Sequence, residues 1–155
     1  MAKAGYSLQT GAAVALSSGV AKTVLCVICP AQFGIDLRAV DFGFDASAAA
    51  TGILVELCTS TLATNSTPGT NNTTGTVNQV YGRSITAGFT GFYASTSEPT
   101  ALTPIDSFTV AVNGTVIRPW NFGEGYDTAV SAGMVLRLTS QSTVNVRSTM
   151  VFERC

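Results

Sequence analysis

Two groups of side chains in this sequence have the types that chemistry uses. Asp41 and Asp45 stand four residues apart in Val40-Asp41-Phe42-Gly43-Phe44-Asp45, where apolar residues alternate with the rest. On a strand such alternate positions share a face. The two carboxylates would then lie on one side, two pleats apart, as an acid–base pair or part of a calcium site requires. Calcium loops pack their oxygen ligands more densely around a glycine turn, so the spacing here reads as solvated charge on a strand surface. Cys26-Val27-Ile28-Cys29 has the C-x2-C spacing of zinc and redox sites. It lies inside the apolar run Thr23 to Cys29, which also reads as a strand. Residues three apart on a strand face opposite ways, so the two thiols cannot share an ion. They are expected as small buried apolar groups, as is Cys58, while Cys155 is terminal.

The remaining chemistry is sparse. The chain has no histidine, which removes the commonest general base and metal ligand together. A Ser or Cys nucleophile would therefore lack its usual partner, and neither a G-x-S-x-G elbow nor a phosphate-binding glycine loop opening a helix is present. No catalytic, cofactor-binding or metal residue is predicted, and the chain is not expected to be an enzyme. Eight Lys and Arg against nine Asp and Glu give a net charge of −1. The basic residues are scattered, so no stripe exists to neutralise phosphates and nucleic-acid partners are not expected. Trp120, Tyr126, Tyr81 and Tyr93 are candidate stacking faces for a carbohydrate, and equally core or interface aromatics. N-x-S/T matches at Asn65, Asn71, Asn72 and Asn113 carry little weight in Thr-rich sequence. Nothing resembles a disulfide framework, which points to a reducing compartment.

Any such residues must be positioned by strands. At 155 residues the chain suits one domain with a core that needs no staple. Hydrophobic residues make up 46% and charged ones 11%, against roughly 25% charged in soluble domains. A surface this poor in charge is solvated by hydroxyls and amides or covered by other subunits. Residues 24–29, apolar on both faces, read as a strand covered on both sides, and strands are also expected around 35–45, 53–58, 76–81 and 108–112, with 116–117 as a return arm stopped by Pro119 and aromatics packed among glycines at 85–94. Two more, 134–139 and 144–152, read as a closing hairpin about the polar break 139–143, with Leu136, Leu138, Val144, Val146, Met150 and Phe152 buried. Asn113-Gly114 is the strongest two-residue hairpin signal. Residues 60–75 form a long polar loop, and residues 46–51 a small-residue turn. Residues 1–20 hold no period for long and are expected as an N-terminal arm, on its own domain or on a neighbour, whose removal would leave the rest folded. The expectation is an all-β, antiparallel, jelly-roll-like sandwich of about eight strands over residues 21–155. No apolar run is long enough for a membrane helix.

A Thr/Ala/Gly-rich, charge-poor β chain ending Ala132-Gly133-Met134-Val135-Leu136-Arg137-Leu138 and Thr149-Met150-Val151-Phe152-Glu153 resembles the small jelly-roll decoration, or cement, proteins of tailed bacteriophages. The likeness covers the strand pattern from Lys22 to Cys155 and carries over no functional residue. It implies a homotrimer on the capsid exterior, made in the host cytoplasm, bracing the major capsid protein at local threefold axes. A tail or tail-tip component would share the composition, and a carbohydrate-binding jelly roll is the reading from a different class.

Overall fold

The computed structural model describes residues 4–45, 52–61, 73–99, 101–121 and 124–155. Among the described residues, alternation of apolar and polar residues becomes twelve strands. In chain order these are β1 (Gly5–Gln9), β2 (Val14–Leu16), β3 (Ala21–Ile28), β4 (Ile35–Asp45), β5 (Ile53–Thr61) and β6 (Thr73–Gly75), then β7 (Val77–Tyr81), β8 (Thr90–Tyr93), β9 (Leu102–Val110), β10 (Asn113–Pro119), β11 (Ala132–Thr139) and β12 (Val144–Arg154). They form two antiparallel sheets. The first has the order β10-β4-β12-β1-β7, with β2 also paired to β12; the second has the order β6-β8-β3-β11-β5-β9.

Eight strands account for the architecture. The quartet β10-β4-β12-β1 faces the quartet β9-β5-β11-β3, and every step along the chain between these strands changes sheet except β5 to β9. That winding is a jelly roll. The other strands decorate it: β2 continues the path of β1 along β12, while β6, β7 and β8 come from one insertion between β5 and β9. This insertion widens both sheets on the same side, with β7 beside β1, and β8 and β6 beside β3.

The inner faces meet in a filled core. Tyr6, Leu8, Leu25, Leu37, Phe42, Leu57, Leu136 and Phe152 are buried to 1% exposure or less. Each such Leu or Phe contributes roughly 1.5–3 kcal/mol relative to an exposed side chain. Phe89, from the inserted segment, reaches the centre edge-on to Phe152 at 5.0 Å and to Tyr6 at 5.5 Å. Phe92, Cys26, Val135 and Cys58 form a cross-strand row over β8, β3, β11 and β5, a smaller buried cluster apart from the main core. Hence β3 is apolar on both faces. Leu136, Leu138, Val144, Val146, Met150 and Phe152 are all buried as their alternation requires.

The structure departs from the sequence reading in four places. First, β11 and β12 are not a hairpin: β11 pairs with β3 and β5, and β12 with β4, β1 and β2. The polar break between them is a corner from sheet to sheet, where buried Ser140 accepts from Gly19 N at 2.7 Å and its Oγ donates to Ser142 O at 2.6 Å. Second, Asn113-Gly114 is not a two-residue hairpin turn, since β9 and β10 lie in different sheets. Gly114 supplies its positive φ of 95° just past that crossover, opposite Phe44. Third, residues 5–9 and 14–16, expected within an N-terminal arm, belong to the first sheet: β1 runs between β12 and β7, and Tyr6, Leu8, Val14 and Leu16 are core residues. Fourth, twelve strands replace about eight, and β9 begins early enough to include Pro104. Proline is tolerated there because β9 is an edge strand and its register slips beside Pro104. The predicted turn at 46–51 and most of the polar loop at 60–75 lie outside the described residues.

Candidate functional site

The inner faces of the sheets are taken up by the apolar core, and the first sheet has two polar regions on its outer face. One is a groove of about 540 Å³ along β4, β10 and β12. Pairing sets its geometry. Asp41 lies between Ile117 and Thr149, and Gly43 between Thr115 and Arg147. Gly43 has no side chain, so the floor between the two carboxylates is bare backbone. A Cβ there would meet only Thr115 Oγ1 at 3.4 Å and Gly114 O at 3.8 Å, ordinary contacts. Thr10 and Ala13, from the gap between β1 and β2, close one wall with Gln9. Thr10 and Ser148 bond reciprocally through Thr10 N to Ser148 O at 2.9 Å and Ser148 N to Thr10 Oγ1 at 3.2 Å.

The structure thus brings Asp41 and Asp45 to one groove, in different states. The backbone N–H and the Nδ2 of Asn145 each donate to an oxygen of Asp45 at 2.9 Å, and these bonds hold its carboxyl below the usual carboxylate range. Burial pushes Asp41 the other way, above that range, and its Oδ1 is enclosed without a hydrogen-bond partner. Arg147, exposed on the opposite wall, has no ion pair among the described residues. The two carboxylates are legible in the sequence, whereas Asn145, Arg147, Thr115 and Thr149 are not. No local pattern marks these, because strands about a hundred residues apart bring them together.

The second polar region sits at the other end of β4 and β12. Tyr81 donates to Glu153 Oε1 at 2.6 Å, and its ring covers Gly5, where a Cβ would stand 2.2 Å from a ring carbon. The Arg38 guanidinium lies 3.5 Å from Asp36 and 4.0 Å from Glu153, and donates to Asn121 O at 3.1 Å. Burial and the Glu153 carboxylate raise the Tyr81 hydroxyl to about 12, so it stays a donor. This network fastens the inserted β7 to the jelly roll.

The cysteines separate as their spacing requires. Cys29 joins the main core, its Sγ 3.1 Å from Thr128 Oγ1, while Cys26 lies in the smaller cluster. Burial lifts Cys26 to about 12 and Cys58 to about 11, so both remain thiols. Nor do the candidate stacking aromatics line the groove. Trp120 packs edge-on to Tyr126 at 5.7 Å with the Arg118 guanidinium 5.4 Å from its ring, Tyr81 is engaged by Glu153, and Tyr93 packs against the core. Comparisons with protein-family models, with curated proteins and with solved structures return no match.

Proposed function

We propose that the chain is a structural virion protein that decorates and stabilises the outside of a tailed-bacteriophage capsid, as a homotrimer in permanent contact with the major capsid protein. The observation that carries this reading is the filled jelly roll: its interior is closed by side chains, so it acts through its exterior. That exterior is drawn from a chain with only 11% charged residues, which suits lasting contact with other subunits. The two sides of the sandwich also differ. The edge strands β9 and β10 carry Pro104 and Pro119, which blunt pairing, and the Arg118–Asp106 bridge at 2.8 Å. Strand β7, at the other edge of the first sheet, has neither proline nor charge, and exposes Val80 at 56% and Tyr81 at 43%. It is the subunit contact in this reading.

The first experiment is co-purification with intact capsids alongside light scattering of the free protein. Trimers that bind capsids support the reading, and a stable monomer with no capsid affinity overturns it. Val80→Lys places a charge on the unguarded edge and is expected to give folded monomers. Trimers that survive it would move the contact elsewhere.

A further inference from the structure

We propose that the groove between Asp41 and Asp45 binds a neutral saccharide, its hydroxyls donating to the carboxylates and accepting from Arg147 and Asn145. This is independent of the capsid reading, since the groove is complete within one subunit.

The class of ligand follows from what the groove offers and withholds. β4 is paired on both sides, to β10 and β12, and β12 is paired to β4, β1 and β2. Their backbones leave nothing for an added strand, so recognition must use side chains. Along the floor the side chains run acceptor, donor, acceptor: Asp41, then Arg147 across bare Gly43, then Asp45 held by Asn145. Two carboxylates and one guanidinium disfavour phosphate, sulfate and acidic sugars. A ligand dense in groups that both donate and accept, without net charge, matches all of them together. Ile117, 66% exposed beside Asp41, offers an apolar contact for the C–H face of a ring. The floor of the site rests on the paired strands β4, β10 and β12, so its groups are held in place before a ligand arrives. The volume of about 540 Å³ suits one or two sugar rings.

Gly43→Val is the sharpest probe. A β-branched residue suits a strand, the Cβ has room, and the isopropyl group would fill the floor. The intact protein and the Gly43→Val, Asp45→Ala and Arg147→Ala variants would be screened on an array of neutral glycans. Hits would then be titrated calorimetrically, with urea unfolding as a control. The expected result is wild-type binding of a neutral saccharide, weakened at least tenfold by each variant that unfolds like wild type. Asp45→Ala and Arg147→Ala, at exposed positions, serve should Gly43→Val fail to fold. Three results overturn the proposal: no neutral saccharide bound by wild type at about 10 mM, binding that survives all three substitutions, or capture of basic peptides in place of saccharides.

Discussion

Phe152→Ala tests the heart of the sandwich, because Phe152 touches rings from two other parts of the chain. It sits on β12 with no exposure, stacked 6.1 Å from Tyr6 of β1 and edge-on 5.0 Å from Phe89 of the inserted segment. Truncation removes most of an aromatic ring from a site walled by paired strands, which can collapse little. The expected loss is roughly 3–5 kcal/mol, or a fall in Tm of about 6–20 °C for a domain of this size. Urea unfolding measures it, with the slope m unchanged if only stability moves. A cycle with Phe89→Ala isolates the contact between the rings, expected at about 0.5–1.5 kcal/mol. If Phe152→Ala cost under about 1 kcal/mol, or if the two substitutions were strictly additive, Phe89 would not be packed on β12 and the placement of the insertion would be wrong.

Deleting residues 1–20 removes Tyr6, Leu8, Val14 and Leu16 at roughly 2–5 kcal/mol each, a loss of the same size as a typical domain's whole stability of about 5–15 kcal/mol; loss of cooperative unfolding by circular dichroism is expected. In native protein a disulfide reagent should reach Cys155 first, since Cys26, Cys29 and Cys58 are buried, and all four thiols should react in denaturant. The raised Tyr81 hydroxyl gives a pH signature: between the ordinary value of 10 and about 12 the folded state keeps a proton that the unfolded chain sheds. Stability is therefore lost as pH rises through that window, and Tyr81→Phe should remove this part of the loss in unfolding curves taken from pH 9 to 12.

How much of this was legible follows from what alternation encodes. A period of two tells which side chains share a face. It therefore placed Phe42, Val55, Leu136 and Phe152 in the core, set Asp41 and Asp45 on one surface, and pointed Cys26 and Cys29 apart. It does not tell which strand lies alongside. Two successive strands bury their apolar faces equally well as neighbours in one sheet or as opposites in two, so β11 and β12 read as a hairpin although they face one another across the core. The corner chemistry that decides, buried Ser140 tied to Gly19, involves residues far apart in sequence. In β1, Tyr6 and Leu8 do alternate with Ser7 and Gln9, but five residues among glycine and alanine give too short a period to outweigh the composition.

The same limit explains why the groove was half visible. Asp41, Gly43 and Asp45 belong to one strand, so their shared face could be read directly. Arg147 and Asn145 come to it only through the pairing of β12 with β4, which is a property of the jelly-roll winding. That winding also accounts for where recognition can occur. Inward positions of β4 and β12 are taken by Val40, Phe42, Phe44, Val146 and Met150, all buried, which fixes the sheet. Only the outward positions of these strands are free to vary without loss of core. There the chain places, on a surface short of charge, two carboxylates, a guanidinium and an amide about a bare glycine. Solvation alone would be served by scattered charges. Their convergence on a glycine floor is the feature a ligand would use, and Gly43→Val separates the two accounts: a merely solvated face tolerates the isopropyl group without consequence, whereas a binding face loses its ligand while the fold persists.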